Sequence, residues 1–178
     1  MKTIFDLKIS EDDLLNLNYK YQPELTSKLD GLKGNFNQEI INEIVLWKVN
    51  RYSFLDDESF LILNQIKNND EVLNIELTTN LLTRFLVTKG IQLAMASTIL
   101  RFKNPNIYQI IDQRVYRFIY GIEMPKYFSS IEKQIDFYIN YLQKLREVCS
   151  EYSIEFNSSD RIIYELDKVH NKEIKIKY

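Results

Sequence analysis

Residues 81–121 read LLTRFLVTKGIQLAMASTILRFKNPNIYQIIDQRVYRFIYG, and the fold turns on how this stretch is read. Two helix-like patterns flank a very short turn, Lys89-Gly90-Ile91-Gln92. Gly90 supplies the backbone freedom that a tight connection between helices requires. Ala94, Ala96 and Ser97 are small, so the second helix can approach its neighbours closely. That helix stops before Asn104-Pro105, because a residue preceding proline avoids the helical region. Beyond the proline, Ile110-Ile111-Asp112-Gln113-Arg114-Val115 sets one acid directly after two apolar residues. Asp112 then stands at the start of a further helix, a favoured place for an N-cap aspartate.

Outward from this core the helical period persists almost throughout. Ser10, with Asp13 three residues on, predicts a short first helix. Residues 37–52 repeat apolar positions at Ile40, Ile44 and Trp47, with Ile41 and Val45 widening the face and Asn37 as N-cap. Asp57 predicts the cap of DESFLILNQIK, and Thr78 or Thr79 the start of TNLLTRFLVT. Ser129-x-x-Glu132 reads as a capping box opening a long helix with Ile131, Ile135, Tyr138, Tyr141, Leu142 and Leu145 inward. Ser158 or Ser159 opens DRIIYELDKVHN, and the tail EIKIKY alternates. No repeat, low-complexity tract or compositional shift interrupts the chain. The expectation is a single all-α domain over 1–178, built from about eight helices.

Composition agrees and excludes much. The chain has 178 residues, 45% hydrophobic and 27% charged, which is globular. Four Gly and three Pro are few for a turn-rich sandwich or barrel. One cysteine, Cys149, excludes a disulfide framework, a four-thiolate zinc site and a four-cysteine iron–sulfur cluster. A lone histidine, His170, argues against a His-rich metal site or a Ser-His-Asp triad. No apolar run approaches the roughly 18 residues of a membrane span. MKTIFDLKISEDD carries acids too early for a signal peptide. These features read as a soluble, cytoplasmic protein with no membrane partner.

Net charge is −2, but the sign is unevenly spread. From Leu77 to Tyr127, seven basic residues (Arg84, Lys89, Arg101, Lys103, Arg114, Arg117 and Lys126) face only Asp112 and Glu123, about +5. Such a segment either decorates a solvated helix face or aims one surface at a polyanion.

The hairpin Lys89-Gly90-Ile91-Gln92, Ala96-Ser97 in its second helix, Pro105 in the loop and Ile111-Asp112-Gln113-Arg114-Val115 at the acid together resemble the helix-hairpin-helix DNA glycosylase superfamily. The match looks closest to the 8-oxoguanine DNA glycosylase-like branch and covers about 40 residues. The resemblance implies a duplex DNA partner carrying a damaged or modified base, with Asp112 as the catalytic aspartate. Lys89, Gly90, Ile91, Gln92 and Arg114 would hold DNA. Two positions depart from the pattern. Gln92 stands where a second hairpin glycine is usual, and Ala94 stands where bifunctional members carry a catalytic lysine. The implied activity is therefore monofunctional, or catalysis has been lost. No metal or cofactor is expected, the iron–sulfur cluster of some relatives being excluded by the single cysteine.

The chemistry would run as follows. A base must leave the duplex before its glycosidic bond is accessible. Amides at a turn entering a helix hold phosphate. A carboxylate stabilises the positive charge that develops on the sugar and handles the water. Trp47, Lys48 and Arg51 are candidates for a base pocket, an indole beside a guanidinium at i, i+4. Their plainer reading is a core tryptophan with surface cations. Asp160, Arg161, Asp167 and Lys168 either line the cleft or, the plainer reading, form a solvated helix face with intrahelical pairs; Tyr108, Tyr116 and Tyr120 add aromatics near the site, with core packing the default for most. Cys149 reads as a small buried apolar residue, and His170 as a cation near helix-end carbonyls. Alongside the enzyme stand two alternatives: a catalytically silent DNA reader with the same hairpin, and a helical protein-interaction domain.

Overall fold

The computed structural model describes residues 22–32, 35–49 and 53–176. These are all-α, with eight α-helices and one short 3-10 turn, Phe156–Ser158, among them. The chain divides into two compact units, Met1–Tyr52 and Ser53–Tyr178, and the hairpin and Asp112 both lie in the second.

In the first unit, α1 (Pro23–Asp30) and α2 (Gln38–Lys48) are the described helices. Asn37 caps α2 as expected, its Oδ1 accepting from the Ile40 amide at 3.0 Å. Ile40, Ile44 and Trp47 are half-buried, whereas Ile41 and Val45 are exposed. The helix predicted from Ser10 and Asp13 lies outside the described residues.

The second unit holds α3 (Asp57–Leu63), α4 (Ile75–Val87), α5 (Leu93–Lys103), α6 (Gln113–Tyr120), α7 (Ile131–Tyr152) and α8 (Ser159–His170). Three predicted starts shift by a few residues. Asp56, not Asp57, caps α3, because burying Ser59, Ile62, Leu63 and Ile66 on one face fixes that register. Asn74 caps α4, which leaves Thr78 inside the core with its hydroxyl 2.7 Å from that of Tyr108. Ser130, not Ser129, caps α7, and this register puts Ile135, Tyr138, Tyr141, Leu142 and Leu145 inward. α3 also ends earlier than its pattern suggested, the chain tightening through i→i−3 bonds at Gln65 and Ile66.

The core is built around α4, α5 and α7, with Leu81, Leu82, Phe85, Ala96, Leu100, Tyr138, Tyr141 and Leu145 fully enclosed. Asn104 is also enclosed. Its Nδ2 donates to the carbonyls of Lys67 (2.6 Å) and Asp70 (2.9 Å), pinning the proline loop to the turn after α3. This pin sets the path by which the chain runs from α5 to Asp112. No helix among the described residues is long and apolar enough to cross a membrane. The tail does not form a strand among those residues; Ile174 instead gives its carbonyl to Arg117 Nη1 at 3.0 Å.

Candidate functional site

The connection between α4 and α5 is a β-turn closed by the Ile91 amide on the Thr88 carbonyl at 3.1 Å. Gly90 occupies its third position with φ 87°, the conformation that turns of this kind require. Ile91 is buried behind the turn, while Lys89, Gly90 and Gln92 are exposed. A Gly90→Val substitution is expected to cost about 1–2 kcal/mol, the penalty for a left-handed L-residue, read as a lower urea midpoint.

Gln92 is extended and gives α5 no side-chain cap. By contrast α2, α3, α4, α6 and α7 are each capped by an Asn, Asp or Ser side chain. The first-turn amides of α5 thus find no acceptor in the side chain of their N-cap residue, as at α1 and α8.

Asp112 is the N-cap of α6. Its backbone is extended, and its Oδ1 accepts from the Val115 amide at 2.8 Å. The carboxyl is half-buried. Burial pushes its pKa above the ordinary value. The Val115 and Arg114 amides and the Arg114 guanidinium oppose the rise, and Asp160 adds to it.

A groove of about 570 Å³ is lined by residues at the start of α5 and by the two neighbours of Asp112, but not by Asp112 itself. Gln92 and Ala94 line it from the hairpin side, Ile111 and Gln113 from either side of Asp112, and Lys126 and Tyr127 from the loop after α6. Ala94 is exposed and lines this groove. Tyr127 is 91% exposed and offers a flat face at the rim.

The basic segment is largely spent inside the protein. Arg84 pairs with Asp56 and Glu58, each at 2.8 Å. Arg101 lies near buried Asp160, and Arg114 and Arg117 both hold Asp167. Lys103 Nζ donates to Asn64 Oδ1 at 2.9 Å. That leaves Lys89 and Lys126, both exposed and both without a carboxylate within ion-pair distance among the described residues. They stand at the hairpin and at the groove. Arg114, expected on DNA, donates to Asp167 and lies over the Tyr164 ring.

The C-terminal helix differs from its sequence reading. Asp160 and Asp167 are not solvated; they are 3% and 0% exposed. Asp167 receives Arg117 in a fork (Nε on Oδ1 and Nη2 on Oδ2, both 2.7 Å), Arg114 at 3.0 Å and Asn171 at 2.8 Å. Alternating charge along a helix does not say which acid faces a neighbouring helix, and the matching arginines sit 50 or more residues away. Lys168 does make the intrahelical pair, with Glu165. Tyr108 and Tyr116 are core residues as expected, and Tyr116 stacks on Tyr120 at 4.3 Å. Cys149 is buried, and His170 stacks on Phe118 at the end of α8.

The proposed base-pocket residues belong to the first unit. Trp47 is half-buried there, its Nε1 donating to Thr26 Oγ1 at 2.9 Å and its carbonyl accepting from Gln22 Nε2 at 2.9 Å. Lys48 is exposed, and Arg51 lies outside the described residues. A second cavity, about 690 Å³, opens between α6, α7 and α8 and is walled by Phe118, Val148, Ile163 and Leu166. No group of three or more His, Cys, Asp or Glu residues is placed to hold a metal among the described residues.

Comparison with protein-family models, with curated proteins and with solved structures finds no match for this chain.

Proposed function

We propose that this chain is a DNA-acting glycosylase of the helix-hairpin-helix kind, monofunctional, with Asp112 as its catalytic carboxylate. The observation that carries this reading is the groove itself, which runs from an uncapped helix N-terminus to the flanks of a half-buried aspartate. The uncapped start of α5 and exposed Lys89 suit a backbone phosphate, with no base read at that point. Lys126 and Tyr127 suit the strand and the exposed face of a base taken out of the stack. Asp112 would stabilise the cationic sugar and orient the water that replaces the base. Because Ala94 offers no amine, the product would be an abasic site with its backbone intact.

One observation favours a second reading, a silent DNA reader with the same groove. Asp112 already serves as the cap of α6, a role that requires no chemistry. A helical interaction domain, the third reading, requires no DNA contact at all.

Two experiments separate these. Duplexes carrying single oxidised, deaminated or alkylated bases are incubated with the protein, with and without hot alkali. Strand breaks that require alkali are the expected result; breaks without alkali exclude the monofunctional reading, and none with any base favours the silent reader. Affinity for the same duplexes is expected to fall as salt rises, and Lys89→Ala and Lys126→Ala should each reduce the log–log salt slope by about one. A salt-insensitive or absent interaction favours the interaction domain.

A further inference from the structure

Each of the three residues before Asp112, Gln109, Ile110 and Ile111, has one backbone group tied to a side chain from another helix. Tyr138 Oη donates to the Gln109 carbonyl at 2.9 Å, and Tyr141 Oη to the Ile110 carbonyl at 2.7 Å. The Ile111 amide donates to Ser97 Oγ at 3.2 Å, and that hydroxyl donates in turn to the Ala94 carbonyl at 2.8 Å. Tyr138 and Tyr141 sit three residues apart on α7, and both are 0% exposed, as are Ser97 and Ile111.

Packing alone does not ask for these hydroxyls. A phenylalanine fills the same volume at either tyrosine without burying a polar group. Burial pushes both phenols well above their ordinary pKa, so each stays a neutral donor. What the hydroxyls add is direction. The segment 109–111 lies between the proline loop and α6, outside any helix or strand whose ladder would fix it. Three tethers in consecutive residues determine where α6 begins, and therefore where the Cβ of Asp112 points. Ser97 joins the system to α5, whose Ala94 faces the groove.

We infer that Tyr141, supported by Tyr138 and Ser97, is a positioning residue for Asp112: its hydroxyl holds the acid in register with the hairpin side of the groove. It touches no substrate and acts through the backbone. The inference rests on the proposed glycosylase reading for its catalytic consequence, while the tether is testable without it.

The test uses the full chain and Tyr141→Phe, alone and combined with Asp112→Asn. Single-turnover base release is expected to fall about 10- to 100-fold in Tyr141→Phe, the cost of a small misplacement of a reacting group. Duplex affinity is expected to stay within about twofold. Adding Tyr141→Phe to Asp112→Asn should cause no further loss, because the residue that it positions is already gone. Amide hydrogen exchange supplies the readout independent of activity. Protection of Ile111 should fall about tenfold relative to Leu81, a core amide of α4. Unchanged Ile111 protection overturns the inference, as does an equal rate loss with and without Asp112. Lost Ile111 protection in a protein that releases no base from any duplex upholds the tether and overturns the proposed function instead.

Discussion

Asp112→Asn is expected to reduce base release by about 10²- to 10⁴-fold while leaving fold and duplex affinity intact. The reason lies in the cap that this residue makes and in the catalytic role proposed for it. Asparagine is as good an N-cap as aspartate, so its side-chain oxygen can keep the bond from the Val115 amide. It carries no charge, so it cannot stabilise a cationic sugar. Asp112→Ala, by contrast, loses both roles and should cost about 1 kcal/mol of stability as well. The pair of variants separates cap from chemistry: thermal unfolding should move only for alanine, base release for both. The pH dependence follows from the raised carboxyl pKa. Under the proposed function catalysis needs the carboxylate, so activity should disappear as pH falls through that raised value. The acid limb should therefore lie above the roughly 3.9 of a free aspartate. A limb at or below that value contradicts the burial described for Asp112.

Asp167→Ala is expected to destabilise the fold by about 3–5 kcal/mol, lowering the melting temperature by roughly 10 °C. Asp167 is fully enclosed between α6 and α8 and balances two guanidinium groups, that of Arg117 through a bidentate fork. Removing it strands Arg117, whose side chain is only 11% exposed, beside Arg114. The exposed pair Glu165–Lys168 on the same helix is the control, since Glu165→Ala should change little. Burial alone would raise the Asp167 carboxyl pKa, but hydrogen bonds from Arg117, Asn171 and Arg114 outweigh it and hold the pKa below its ordinary value. A depressed carboxyl stabilises the fold above its unfolded pKa and loses that contribution as pH falls through the folded value. Melting temperature measured from pH 7 to pH 3 should therefore fall below about pH 4 in the wild type, and the gap to Asp167→Ala should narrow there.

Residues whose signal is local were legible in the sequence. Gly90 marked the hairpin because only a tight turn uses its freedom, and Asn104-Pro105 marked the end of α5 because proline forbids the alternative. The apolar period placed Ile135, Tyr138, Tyr141, Leu142 and Leu145 of α7 inward without knowledge of their neighbours. Caps were legible to within a few residues, since Asp56 and Asp57, or Ser129 and Ser130, offer the same chemistry and only the packed register chooses between them. Long-range pairing was not legible. Nothing local to Asp167 announces Arg114 and Arg117, and nothing local to Arg101 announces Asp160. For that reason the basic segment from Leu77 to Tyr127 reads as a solvated helix face or a surface for a polyanion, whereas most of its cations face inward or are tied to neighbours. The tyrosine tether was equally hidden, because Tyr138 and Tyr141 read as core by period, and the period does not reveal where a hydroxyl points.

The most direct test of the proposed activity is chromatographic detection of free base released from lesion-bearing duplexes by wild type and Asp112→Asn, at protein concentrations where both bind the DNA equally. Free base from wild type, reduced at least 100-fold in Asp112→Asn, with the strand unbroken until alkali is added, is the predicted result. Equal release by both proteins would remove Asp112 from the chemistry, and no release of any base from duplexes that wild type binds would leave a DNA reader rather than an enzyme.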